Sequence, residues 1–126
     1  MQTRKCLGLV TILALVLAVG PAMAQAPAGV TPAAIAKGDS IFHKDGNCYA
    51  CHGANAEGAV GPNLTDATWI HSDGSYDAIV KQIITGVPQN ESKSGIVMPP
   101  KGGSTISDDD VKAVAAYVWS LSHKKQ

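Results

Sequence analysis

The feature that most constrains this chain is the pentapeptide Cys48-Tyr49-Ala50-Cys51-His52. Two cysteines separated by two residues and followed directly by a histidine have the spacing at which c-type haem is attached. The two thiols reach the two vinyl groups on one edge of a porphyrin, and the histidine can turn its imidazole onto the iron. The pentapeptide therefore predicts one haem c, attached covalently through Cys48 and Cys51, with His52 as an iron ligand.

Two other interpretations of the pentapeptide stay open on spacing alone. A redox dithiol of the thioredoxin kind uses the same cysteine spacing, and half of a zinc site does as well. No cysteine follows residue 51, and no second ligand pair stands at the spacing of a zinc finger. The strand–helix alternation that surrounds a thioredoxin-like dithiol is also missing from the sequence pattern. Both interpretations are weaker than haem attachment.

The first 24 residues have the pattern of a secretory signal. Arg4 and Lys5 precede an apolar run at 7–19, and Ala22 and Ala24 supply small residues at a cleavage site. The run has thirteen residues, whereas a helix that spans a bilayer needs roughly 20. We expect cleavage after Ala24 and export to the periplasm, with retention as an uncleaved anchor as the alternative.

Residues 25–126 hold ten acidic against eight basic residues, which gives no basic surface for nucleic acid. This short segment has few aromatic residues and keeps only two cysteines, so it can build neither a large core nor a disulfide framework. We predict a linker at 25–30 and a single domain at 31–126, with a bound group filling its centre.

Helix signals occur in three places. Thr31 is an N-cap before a first helix at 32–44, and Ser75 is an N-cap before a second that stops at Gly86. Ser107 and three following aspartates open a last helix, whose apolar stripe contains Val111, Val114, Ala115, Val118 and Leu121. The segments 53–74 and 87–105 read as loops. The sequence thus predicts an all-α fold of three to four helices with long loops around one haem.

The second axial position of the iron has four candidate ligands. Met98 is the one methionine after residue 24, and the two prolines that follow it favour an extended, stiff loop. His71 is the next candidate, and His43 and His123 are expected to be exposed at helix ends. An open iron without a second ligand is the remaining alternative. We expect Met98 to bind the iron.

The chain resembles the class I cytochrome c family over about residues 33–122. The resemblance rests on five sequence matches in the order of that family: Gly38 with Phe42, Cys48-Tyr49-Ala50-Cys51-His52, Gly61-Pro62-Asn63-Leu64, Met98-Pro99, and Ala116-Tyr117.

That resemblance implies four further roles. Gly38 would let the first and last helices cross closely, with Phe42 packed near Val114 and Tyr117. The carbonyl of Pro62 would accept a hydrogen bond from His52, and Leu64 would pack on the haem.

Within the family, the segments 62–69 and 113–122 are similar to the c-type subunits and domains of cbb3-type oxidases. The chain departs from them at 88–94, which looks like an insertion, and at Pro100-Lys101, which replaces an aromatic residue. Both departures lie near the expected haem edge and bear on the choice of partner. Lys93 and Lys101 bracket Met98, and they are either docking groups or ordinary solvated lysines.

The resemblance implies an exported cytochrome that carries single electrons between redox proteins of a respiratory chain and is not itself an enzyme. Its donor and acceptor would be redox proteins, without nucleic acid and without membrane insertion after cleavage, and the chain would be a monomer or a loosely bound subunit. The alternatives are a haem-bearing subunit of a periplasmic dehydrogenase or oxidase and, behind it, a catalytic or gas-binding haem protein.

Overall fold

Four α-helices carry the regular structure of residues 25–124, the part of the chain that the computed structural model describes. The signal predicted at 1–24 lies outside these residues. In chain order the helices are α1 (Pro32–His43), α2 (Tyr49–His52), α3 (Tyr76–Thr85) and α4 (Asp108–Ser122), with a 3-10 turn at Pro100–Gly103 before α4. Residues 25–124 contain one isolated antiparallel β-bridge, between Val87 and Met98. The all-α prediction is confirmed.

The three longer helices begin where side chains cap them. Thr31 and Ser75 accept hydrogen bonds from the backbone N–H groups three residues ahead, at the starts of α1 and α3. Ser107 forms a capping box with Asp110, in which each side chain bonds the backbone N–H of the other. Because these caps satisfy N–H groups that a helix start leaves free, each helix begins at the predicted position.

The crossing of α1 and α4 is the tightest helix contact of the fold. A Cβ atom on Gly38 would overlap the carbonyl of Ala113, so only glycine allows this approach. Phe42 is fully buried below the crossing, and its ring meets that of Tyr117 edge-to-face at 5.4 Å. Val114 is buried in the same cluster. The close crossing implied by the resemblance is present.

Helix α3 adds its buried residues to the core that α1 and α4 form. Ile79 and Ile83 of α3 are buried in the same cluster as the α4 stripe. The segment 25–30, predicted as a linker, ends against the domain: Val30 is buried, and a Cβ on Gly29 would overlap the ring of Tyr76. None of the helices within 25–124 is long and apolar enough to cross a membrane.

Candidate functional site

The pentapeptide folds as the short helix α2 and presents both thiols at one cavity. The backbone N–H of Cys48 donates to the carbonyl of Phe42 at 3.1 Å, which ties α2 to the end of α1. Cys48 and Cys51 are both free thiols, and both line the cavity. Burial raises the pKa of the Cys48 thiol to about 11, so this sulfur is held in its neutral form.

His52 is a buried histidine whose tautomer is fixed by one contact. Its Nδ1 lies 2.9 Å from the carbonyl oxygen of Pro62. Because a carbonyl can only accept, Nδ1 carries the proton and Nε2 keeps the lone pair. Burial lowers the pKa of His52, while the bond to Pro62 opposes that effect. The imidazole is therefore neutral and offers Nε2, which is the form that binds a metal.

The loop after α2 holds the Pro62 carbonyl in place. Gly61 donates its backbone N–H to the carbonyl of Cys51 at 2.8 Å, and Gly58 donates to the carbonyl of His52 at 2.7 Å. A Cβ on Gly61 would stand 3.0 Å from the imidazole Cε1, closer than ordinary contact. Leu64 donates to the carbonyl of Ala56 and lines the cavity.

Met98 reaches the same cavity from the loop that follows α3. Its backbone exchanges two hydrogen bonds with Val87, at 2.8 and 2.9 Å, and this pair fixes where residue 98 lies. The next residue, Pro99, is extended, as the double proline predicts. Gly86, at the end of α3, packs so closely on the carbonyl of Met98 that a Cβ there would overlap it.

The cavity between these groups has a volume of about 450 Å³. This lies within the range of roughly 300–1,000 Å³ typical of cofactor sites. Its walls are largely apolar, with buried residues from α1, α3 and α4 at its back. Two thiols, a neutral imidazole nitrogen and a thioether meet in it, and this donor set fits a covalently attached haem. No cluster of three or more His, Cys, Asp or Glu that could hold a metal ion occurs within residues 25–124.

The three other candidate histidines lie in different surroundings. His71 lines the cavity, so it stays a second candidate ligand. His43 was expected to be exposed, but it is half-buried. Its Nδ1 lies 2.8 Å from the carbonyl of Asp39, and its Nε2 lies 2.6 Å from that of Ala54. His123 is exposed and stacks on Trp119.

The two lysines that bracket Met98 have different surroundings. Lys101 pairs with the Asp108 carboxylate at 2.8 Å and donates to the Ile106 carbonyl at 3.0 Å. It is therefore a structural contact at the start of α4. Lys93 is exposed and lines the cavity mouth.

Curated relatives are about a third or more identical to this chain over the aligned residues. The chain is 44% identical over 92 residues to the cbb3-type cytochrome c oxidase subunit CcoP of Rubrivivax gelatinosus. It is 38% identical over 90 residues to subunit FixP of Bradyrhizobium sp. (strain ORS 278). These matches cover 72% and 69% of the chain but only 27% and 30% of the relatives. The chain thus spans less than a third of their length.

Solved structures agree on the fold. Cytochrome cL from the marine methylotroph Methylophaga aminisulfidivorans has a TM-score of 0.57 at 26% identity, over 71% of this chain and 56% of that one. Cytochrome cL from Hyphomicrobium denitrificans has a TM-score of 0.54 at 23% identity, over 71% of this chain and 48% of that one.

The family described as "Cytochrome C oxidase, cbb3-type, subunit III" matches residues 33–118, which include the pentapeptide and Met98. The expected cofactor, haem c, is confirmed by this match and by the cytochrome structures. The predicted cytochrome c fold is confirmed by the same structures. The chain belongs to the cbb3-type cytochrome c oxidase subunit III family of c-type cytochromes.

Proposed function

We propose that this chain is a monohaem c-type cytochrome that carries single electrons between redox proteins of a respiratory chain. The observation that carries the proposal is the single cavity that receives the neutral His52 imidazole, the Met98 side chain and both thiols. A haem with both axial positions filled has no open coordination position for a substrate. We therefore propose that the chain is an electron-transfer protein and not an enzyme.

In this proposal the haem supplies a one-electron change of the iron, and the protein sets its conditions. Cys48 and Cys51 hold the group covalently, so it stays in place in both oxidation states. His52 binds through Nε2 because Pro62 occupies its other ring nitrogen. Met98 provides a soft thioether, and Leu64 contributes to the apolar wall that excludes water.

A free carrier in the periplasm is the form that we favour, because the N-terminal pattern predicts export and cleavage. The relatives are oxidase subunits by their printed names, so a fixed electron-transfer subunit of an oxidase or dehydrogenase complex is the second candidate. Fractionation of the native cells separates the two. A free carrier appears in the periplasmic fraction at its monomer size, whereas a fixed subunit elutes with a larger complex.

The ligand assignment is tested by Met98→Ala. We expect this variant to lose the weak far-red band of sulfur bound to ferric iron, and its ferrous form to bind carbon monoxide. Met98→His should keep the covalent haem and lower the midpoint potential by about 0.2 V, out of the ~0.8 V that axial ligation spans. A thioether favours ferrous iron more than an imidazole does, which gives the direction.

Ile84→Ala is the matched control, since Ile84 is an exposed residue of α3 that does not line the cavity. It should leave the far-red band and the midpoint as they are. A Met98→Ala protein that keeps the band would contradict the assignment and make His71 the leading candidate. Carbon monoxide binding to the ferrous wild type would instead favour a gas-binding or catalytic haem protein.

A further inference from the structure

His43 joins the end of α1 to the loop at 53–61, which follows α2. Its Nε2 lies 2.6 Å from the carbonyl oxygen of Ala54. On the other side of the ring, Nδ1 lies 2.8 Å from the carbonyl oxygen of Asp39 and 3.0 Å from the Asp39 carboxylate. The two carbonyls, that of Ala54 first, raise the pKa of His43 above its ordinary value of about 6.5. The ring is therefore charged at pH 6, and both of its nitrogens donate.

The neutral ring has one proton, and its surroundings decide which nitrogen keeps that proton. Nδ1 faces two oxygens of Asp39, one of them in a charged carboxylate, whereas Nε2 faces one uncharged carbonyl. A hydrogen bond to a charged acceptor is roughly twice as strong as one to a neutral acceptor, so the proton stays on Nδ1. The lone pair of Nε2 then faces the carbonyl oxygen of Ala54, and the two acceptors repel each other. Loss of one proton thus breaks the contact with the loop and keeps the contact within α1.

Within the described part of the chain, the titratable side chains that face the His43 ring are those of Asp39, Tyr49 and Tyr117. Tyr49 of α2 stacks on the ring with 6.3 Å between centroids, and Tyr117 of α4 meets it edge-on at 6.1 Å. Both phenols are uncharged near neutral pH, so Asp39 supplies the charge beside the ring. The Glu57 carboxylate accepts a hydrogen bond from a backbone N–H of its own loop at 2.7 Å.

The loop at 53–61 forms part of the cavity wall, since residues 59–61 line the cavity. Ala56 of this loop is fully buried and has a φ of 57°, in the left-handed region that alanine occupies only at a cost. The closed loop thus contains a backbone conformation that its contacts must hold in place. The hydrogen bond from His43 to Ala54 is one of these contacts.

We propose that His43 is a pH-sensitive latch on the cavity wall: loss of its proton releases Ala54 and raises the population of a form in which the loop at 53–61 is open. Gly61 bonds the carbonyl of Cys51, so the opening lies beside α2. Acid conditions keep the loop closed, and alkaline conditions admit water to this side of the cavity. The latch goes beyond the proposed electron transfer and does not depend on which residue is the second iron ligand.

The test is digestion of the purified holoprotein by an endoprotease that cuts after glutamate. The chain has two glutamates, Glu57 inside the loop and Glu91 in an exposed turn after α3. Fragments are quantified by mass spectrometry at steps from pH 6 to pH 9. The ratio of cuts after Glu57 to cuts after Glu91 corrects for the pH dependence of the protease, because both come from one digest. We expect this ratio to rise about tenfold in the wild type, the order expected for loss of one hydrogen bond from a charged group.

His43→Gln should keep the ratio constant, because an amide donates to Ala54 at every pH. His123→Gln, at an exposed histidine after α4, is the matched control and should show the wild-type rise. Asp39→Asn is a second variant that removes the carboxylate beside the ring, so the rise should begin at a lower pH.

A constant ratio in the wild type, or an equal rise in His43→Gln, would overturn the latch. Far-ultraviolet circular dichroism and haem absorbance are recorded at each pH. A rise that appears only together with loss of the helix signal would also overturn it, because Glu57 would then be cut in the unfolded protein. None of these results depends on the Met98 assignment, which the far-red band tests separately.

Discussion

His52 and His43 both contact backbone carbonyls, but their pKa values shift in opposite directions. His52 is buried and has a carbonyl at one ring nitrogen only, so its neutral form is favoured. His43 faces acceptors at both ring nitrogens, the carbonyl of Ala54 on one side and Asp39 on the other. Both nitrogens must carry protons to satisfy these contacts, which favours the imidazolium.

The first prediction concerns the pH dependence that His43 gives to stability. The Ala54 carbonyl, and then the Asp39 carbonyl, raise the pKa of His43 above its ordinary value of about 6.5. A raised pKa in the folded state contributes stability that is complete below the unfolded pKa and is lost as pH rises through the folded pKa. We expect the melting temperature of the holoprotein to fall on that account from about pH 6 upward. Thermal melts between pH 5.5 and 9 measure it.

His43→Gln should remove this part of the pH dependence, because an amide can donate to Ala54 at every pH. His123→Gln is the control at an exposed histidine and should keep the wild-type profile. If the melting temperatures of His43→Gln and the wild type differed by the same amount at every pH, the charged His43 contact would be refuted.

The crossing of α1 and α4 positions two residues of the cavity wall, Phe42 and Val114. Gly38 lets α1 approach the carbonyl of Ala113, and the same approach buries Phe42 beside the cavity. Asp110 of α4 adds an exposed ion pair to Lys37 of α1 at 2.7 Å. The ion pair is at the surface and contributes little, so close packing decides the geometry.

The second prediction is that Gly38→Ala destabilises the holoprotein by about 1–3 kcal/mol, the usual cost of overpacking. At an open helix position the same change would stabilise by roughly 0.5–1 kcal/mol, because glycine is a poor helix former. The sign of the change in unfolding free energy therefore shows whether the crossing is as close as described. Denaturant unfolding followed by circular dichroism measures it, with Ser40→Ala on the exposed face of α1 as the control. A stabilised Gly38→Ala protein would show that the crossing is looser than described.

The sequence predicted the helices well where capping side chains mark their ends. Thr31, Ser75 and Ser107 each lie one residue before an observed helix. It did not predict α2 or the 3-10 turn. α2 has only four residues, and the turn contains Lys101 at a φ of 54°, for which lysine carries no sequence signal.

Within the site, the sequence pattern pointed to the pentapeptide and to Met98 as cavity residues, and the resemblance pointed to the contact of Pro62 with His52. It did not reveal the contacts of His43. The contact of His43 with Ala54 had no sequence signal, because Ala54 offers only a backbone carbonyl, whose position depends on the folded loop.

For the molecule as a whole, the cavity stands where a larger domain would have its core. At about 24 cal/mol per Å³ of empty cavity, 450 Å³ corresponds to at most about 11 kcal/mol. That is comparable to the entire stability of a typical domain, about 5–15 kcal/mol. The bound group is therefore part of the core as well as the redox centre.

The third prediction is that the exported double variant Cys48→Ser/Cys51→Ser, which cannot form thioethers, lacks a packed core. Its near-ultraviolet circular dichroism should be weak, and it should show no cooperative thermal transition where the holoprotein does. Tyr49→Ser, an exposed change inside the pentapeptide, should keep both signals. Native-like near-ultraviolet signals from the haem-free variant would mean that the protein part folds unaided.

The backbone hydrogen bonds between Val87 and Met98 separate the position of Met98 from the surface loop that precedes it. Two main-chain hydrogen bonds to Val87 hold the backbone of residue 98 and close the segment 88–97 into a loop. This loop can therefore vary at the positions that do not line the cavity. A designer could therefore rewrite residues 89–91, which do not line the cavity, to suit a new redox partner while the cavity wall keeps its composition.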